Sequence, residues 1–131
     1  MIVLDASAAV AYLVDGGQEG RWARETVERE DDIAAPHLID LEVVSGLRKG
    51  LMRRELTRRQ ADEALSDFGD FALIRYPSTT LLTRIWELRT TLTPYDAAYV
   101  ALSEALGVAL ATTDLRLARS GGHGAEIIAP A

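Results

Sequence analysis

Four acidic residues each stand alone in an otherwise apolar stretch. They are Asp5 after Met1-Ile2-Val3-Leu4, Glu42 in Leu38-Ile39-Asp40-Leu41-Glu42-Val43-Val44, Asp96 before Ala97-Ala98-Tyr99-Val100-Ala101-Leu102, and Asp114 after Val108-Ala109-Leu110-Ala111-Thr112-Thr113. Burying a lone carboxylate is costly unless a cation or hydrogen-bond donors compensate it. No Lys or Arg alternates with the four as buried ion pairs would require. One shared metal ion accounts for all of them. Oxygen-only donors from Asp and Glu suit Mg²⁺ or Mn²⁺. Such ions hold substrate phosphate and activate water, so the chemistry indicated is attack on a phosphate ester.

Each acid also has an ordinary structural explanation. Asp5 and Asp114 are placed to cap helices, and Asp96 falls near a third helical position, where the helix dipole favours an acid. Glu42 is harder to explain away, because on a helical wheel it sits beside Leu38, Leu41 and Ser45. Asp40 lies about 160° around the helix from it and belongs to the surface or the helix start. Ser7 and Thr112 each stand two residues from a proposed ligand and can orient it, or serve only as backbone caps. Other catalytic sets are poor. His37 and His123 form no metal motif, no Gly-x-Ser-x-Gly elbow occurs, and the glycine loop at 121–124 lacks a Gly-Lys-Ser/Thr ending.

The elements that must position the acids follow from periodicity and punctuation. Strands are expected at 2–5, 32–35 (stopped by Pro36), 71–75, 108–112 and 126–128. Helices are expected at 6–14, 19–30, 37–50 (stopped by Gly50), 57–68 (capped by Thr57), 78–90 (capped by Ser78) and 114–119. A further helix starts at Thr93-Pro94 and ends at Gly107. Strands separated by helices predict an α/β fold, with a central parallel sheet of about four to five short strands flanked by helices. Ligands in such sheets bind at the carboxyl ends of the strands. Asp5 and Asp114 follow strands, while Glu42 and Asp96 lie early in helices near that same edge.

The chain has 131 residues, 48% of them hydrophobic, which fits one domain over residues 1–131. There is no cysteine, so disulfides and thiolate metal sites are excluded. No signal-peptide pattern and no apolar run of spanning length is present, so a cytoplasmic protein is expected. The formal charge of −6 argues against tight binding of nucleic acid through overall charge. It is compatible with a carboxylate site that bound metal offsets. Arg48, Lys49, Arg53, Arg54, Arg58 and Arg59 form a basic run, a surface for RNA or a protein partner or a plain solvated face. Glu25, Glu28, Glu30, Asp31 and Asp32 form an acidic solvated run. Trp22, Trp86, Tyr95 and Tyr99 are read as core or interface residues.

Four ordered pieces resemble the PIN domain, specifically the VapC-type toxin ribonucleases of bacterial toxin–antitoxin pairs. They are Met-Ile-Val-Leu-Asp-Ala-Ser-Ala at 1–8, Pro36 with Glu42, Tyr-Asp-Ala-Ala-Tyr-Val-Ala-Leu-Ser-Glu at 95–104, and Leu-Ala-Thr-Thr-Asp-Leu-Arg-Leu at 110–117. The resemblance implies a metal-dependent endoribonuclease with Asp5, Glu42, Asp96 and Asp114 as its acidic quartet and Thr112 in support. It also implies a homodimer and inhibition by a small cognate antitoxin, whose arginine-bearing tail would suit an acidic mouth. Two rivals remain at this point. A receiver-like phosphorylation domain would want an acidic pair after the first strand and a lysine after a late one. The chain offers only Asp5 and a helical Lys49. A non-catalytic RNA- or protein-binding module would use the 48–59 basic run and need bind no metal.

Overall fold

The computed structural model describes residues 1–131. In chain order the elements are β1 (Ile2–Leu4), α1 (Ala6–Val14), α2 (Gln18–Glu28), β2 (Ile33–Pro36), α3 (Ile39–Met52), α4 (Arg58–Asp70), β3 (Ile74–Tyr76), a 3-10 turn (Thr79–Leu81), α5 (Leu82–Glu87), α6 (Pro94–Leu106), β4 (Leu110–Ala111), α7 (Leu115–Ala118) and β5 (Ile127–Ile128). The strands form one sheet in the order β3-β2-β1-β4-β5, and every pairing is parallel. The α/β architecture expected from the sequence is therefore present, with five strands. All residues of β1, β2 and β4 are buried, as strands covered on both faces must be.

The sheet order places β1 at the centre. The chain leaves it toward β2 and β3 on one side and later returns to β4 and β5 on the other. This reversal opens a crevice at the carboxyl ends of β1 and β4. Asp5 follows β1, and Thr112 to Asp114 follow β4, so the two segments face each other across it. α6 runs from that edge back to β4 and packs on β1 and β2, which brings its first turn to the same mouth.

Local signals placed most helices well. Thr93 caps α6 by accepting the Asp96 N–H, Pro94 opens the helix, and Gly107 closes it in the left-handed conformation at φ 65°. Thr57 and Gln60 form a reciprocal capping box on α4. Other boundaries need correction. Gly50 does not stop α3, which runs on to Met52; the Gly50 carbonyl accepts the N–H groups of Glu55 and Leu56, and Leu56 packs where a β-carbon would stand. The helix expected at 78–90 is a 3-10 turn followed by a six-residue α5, in a stretch rich in β-branched threonines, and Ser78 makes no side-chain cap. β3 lies at 74–76 rather than 71–75, because pairing with β2 sets its register and Phe71 instead ends α4. Pro36 belongs to β2, and the following His37 N–H supplies the bond to Tyr76. β4 pairs over two residues only, not five.

One close approach bears on the site. A β-carbon on Gly46 of α3 would lie 2.9 Å from Val10 Cγ2 of α1. Gly46 thus lets α3 settle on α1, one helical turn beyond Glu42. We expect Gly46→Val to destabilise the protein by about 1–3 kcal/mol through overpacking. Gly69→Ala, at a position with open space around it, should stabilise by about 0.5 kcal/mol. Urea unfolding checks both, and equal effects would refute the packing account.

Candidate active site

Asp5 is the most constrained residue of the crevice. It is 5% exposed and caps α1 by accepting the Ala8 N–H at 2.9 Å. Ser7 Oγ donates to its Oδ1 at 2.7 Å, and Thr112 Oγ1 donates to its Oδ2 at 2.5 Å. The same two hydroxyls accept the backbone N–H groups of Thr113 and Asp114, at 3.1 and 3.0 Å. Ser7 and Thr112 therefore stitch the end of β1 to the end of β4 through the Asp5 carboxylate. No Lys or Arg touches that carboxylate. Three of its roughly four acceptor positions are used, which leaves one on Oδ2. Burial pushes its pKa up to about 6 against the pull of these hydrogen bonds, and the Asp114 charge adds to the rise.

Asp114 caps α7 through Oδ1, which accepts the Arg116 and Leu117 N–H groups. Its Oδ2 takes Arg116 Nη2 at 3.2 Å, and the same nitrogen reaches Asp96 Oδ2 at 2.8 Å. Asp96 thus stands opposite Asp114 from the first turn of α6. Glu42, half-buried on α3, has its pKa raised by burial and by the Asp96 charge, while Tyr99 and Lys49 act in the opposite sense. Tyr99, one turn after Asp96 on α6, is raised by burial and by the charges of Glu42 and Asp5. Its buried hydroxyl lies beside Glu42 and meets no acceptor in strict hydrogen-bond geometry. Asp5, Glu42, Asp96 and Asp114 are thus near enough to influence one another, directly or through Arg116 and Tyr99. An open crevice of about 350 Å³ adjoins Glu42 and is lined also by Ser7, Ser45 and Lys49.

The sequence missed several residues here. Arg116, an exposed side chain that the sequence reading did not associate with the acids, bridges two of them. Its partner Asp96 belongs to another element, so spacing along the chain hides the pair. Lys49, about two helical turns after Glu42 on α3, also lines the crevice. Tyr99 was detectable, since positions three apart on a helix share a face. Asp40 is at the surface, as expected, in a bidentate pair with Arg75. Leu41 does not share a buried side with Glu42; it is exposed. His37 is exposed at the start of α3, and His123 is half-buried and held by Ser120 and Ala125.

No three Asp, Glu, His or Cys side chains cluster closely enough to enclose an ion as they stand. Two features account for the spread, because Arg116 holds Asp96 and Asp114 while hydroxyls hold Asp5. The chemistry nevertheless fits a hard cation. All four donors are carboxylates, Asp5 is buried without a counter-charge, and ions such as Mg²⁺ complete their shells with water.

The raised Asp5 pKa has a stability consequence. Its folded value, about 6, exceeds the ordinary 3.8. Folding therefore favours the protonated form, and the native state is destabilised as pH rises from about 4 to 6. The loss is on the order of 3 kcal/mol once Asp5 is ionised. In EDTA, wild type should lose this stability across that window while Asp5→Asn does not. Urea titrations at a series of pH values will show it, and parallel pH profiles would contradict it.

Comparison with known proteins agrees with this geometry. The PIN domain family matches residues 2–122. Ribonuclease VapC9 of Mycobacterium tuberculosis is 47% identical over 121 residues, covering 92% of this chain and 91% of that protein. Ribonuclease VapC12 of the same species is 39% identical over 127 residues, covering 97% of each. Among solved structures, VapBC2 from Rickettsia felis, bound to a DNA fragment from its promoter, superposes with a TM-score of 0.66 over the full length of both chains at 15% identity. With a matching profile over nearly its whole length and VapC ribonucleases as relatives, the chain belongs to the PIN-domain family, in its VapC ribonuclease branch.

Proposed function

We propose that the chain is a Mg²⁺- or Mn²⁺-dependent endoribonuclease and the toxin of a toxin–antitoxin pair. The observation that supports this is the buried Asp5 carboxylate, without a cation of its own, close enough to Asp114 for that charge to raise its pKa further. Family membership agrees with it and removes the support for the receiver-like and non-catalytic readings. Asp5, Asp96 and Asp114 would hold the ion, and Glu42 would hold it or position water. When bound, such an ion neutralises phosphate charge and lowers the pKa of water.

The protein's own groups supply the rest. Ser7 and Thr112 lock Asp5 in one rotamer, so its open acceptor position keeps a fixed direction. Asp114 divides its oxygens: Oδ1 holds the helix and Oδ2 accepts from Arg116. Glu42, with its raised pKa, is suited to accept a hydrogen bond or proton from water. Lys49 lines the same crevice, where a phosphate would meet it. Water rather than the ribose 2′-hydroxyl is the nucleophile in this scheme, so products carry 5′-phosphate and 3′-hydroxyl ends.

The toxin role rests on kinship with VapC ribonucleases. An acidic mouth favours a basic segment, so the proposed antitoxin is a small protein with an arginine-bearing tail. A homodimer is also proposed. The exposed apolar side chains Leu82, Trp86 and Tyr95 near α5 and the start of α6 support an interface there. One domain, residues 1–131, would carry the whole activity. No helix is long and apolar enough to cross a membrane, and a cytoplasmic site of action is proposed.

Two experiments test the proposal. Cleavage of purified RNA with Mn²⁺ should fall at least about 100-fold in Asp5→Asn and in Asp96→Asn and vanish in EDTA. Undiminished cleavage by both folded variants would refute the assignment. Separately, co-expression with the product of the adjacent short reading frame should yield a stable complex and relieve growth arrest. Absence of both effects would remove the toxin role.

A further inference from the structure

Arg116 is the one basic side chain that touches the acids, and its contacts are unusual. A single nitrogen, Nη2, bridges Asp96 Oδ2 and Asp114 Oδ2, the oxygens that would face a divalent ion. The side chain is nevertheless 66% exposed. Its backbone is fixed independently, because its N–H is held by Asp114 Oδ1 at 2.9 Å as part of the α7 cap. The side chain can therefore leave without disturbing either the helix or the position of Asp114.

We propose that Arg116 is a displaceable cation that becomes a phosphate ligand. Without metal, it neutralises Asp96 and Asp114 and holds them across the crevice. A divalent ion places twice the charge at the same oxygens and displaces the guanidinium. The freed guanidinium stays tethered at the mouth, where the phosphate of an RNA strand is its natural bidentate partner. Metal binding and phosphate binding are then coupled, since each favours the released side chain. This inference rests on the metal-dependent reading of the site.

Mn²⁺ binding to the full chain, read by calorimetry or electron paramagnetic resonance without RNA, tests the first half. An exposed bridging ion pair is weak, so Arg116→Ala should bind Mn²⁺ about two- to tenfold more tightly than wild type. Arg119→Ala is the control for charge alone, because Arg119 is exposed and makes no ion pair with either acid; it should change little. The second half is read with single-stranded RNA and Ca²⁺ in place of Mg²⁺. Arg116→Ala should bind RNA more weakly, with a salt slope smaller by about 0.7. Equal Mn²⁺ affinity in wild type and Arg116→Ala, or equal tightening in both variants, overturns displacement. Unchanged RNA affinity overturns the phosphate role. If neither wild type nor Arg116→Ala binds Mn²⁺, the metal reading itself fails and this proposal falls with it.

Discussion

A carboxylate buried at the end of the central strand organises this molecule. Asp5 cannot leave the crevice, because the strand before it is fully buried and the helix after it needs its Oδ1 as a cap. Nor can it stand alone, because burial penalises its charge. Ser7 and Thr112 answer that penalty in part, and in doing so they fasten β1 to the segment after β4. The raised pKa shows that hydrogen bonds do not offset the cost fully. What remains is an anionic site that a cation would stabilise, built into the switch point of the sheet.

Structural and chemical roles coincide at the acids instead of competing. Asp5 and Asp114 are helix caps, and Asp96 occupies the third position of a helix capped by Thr93. A cap uses one carboxylate oxygen and fixes the side-chain torsions. The second oxygen is then delivered in a defined direction at little further entropic cost. Asp5 and Asp114 thus have carboxylate oxygens located by backbone hydrogen bonds, whereas the Asp96 carboxylate is held by Arg116.

Away from the crevice, charge mostly does local work. Arg84 makes two hydrogen bonds to Glu104 and binds the short α5 to α6, while Glu104 also accepts the Gly124 N–H. Arg58 and Arg59 of the basic run pair with Asp62 and Glu63 one turn along α4, so that end of the run is a solvated helix face. Lys49 departs from this pattern and reaches the crevice. Trp86 and Tyr95 lie largely exposed, whereas Tyr99 on the same α6 is buried among the core residues.

The sequence by itself determined the class of fold and most helix boundaries, and it singled out four solitary acids. Those signals are local: a cap acts within three or four residues, a buried strand is an unbroken apolar run, and a solitary acid within one is conspicuous. Only the tertiary structure decided strand lengths, the pairing of Arg75 with Asp40, and the bridging of Asp96 and Asp114 by Arg116. Strand limits depend on where a neighbour offers hydrogen bonds, which is why five expected residues of β4 became two. The side-chain contacts join elements far apart in the chain, and their distances follow from sheet order and from the seating of α3 on α1 at Gly46. No spacing along a single segment encodes them.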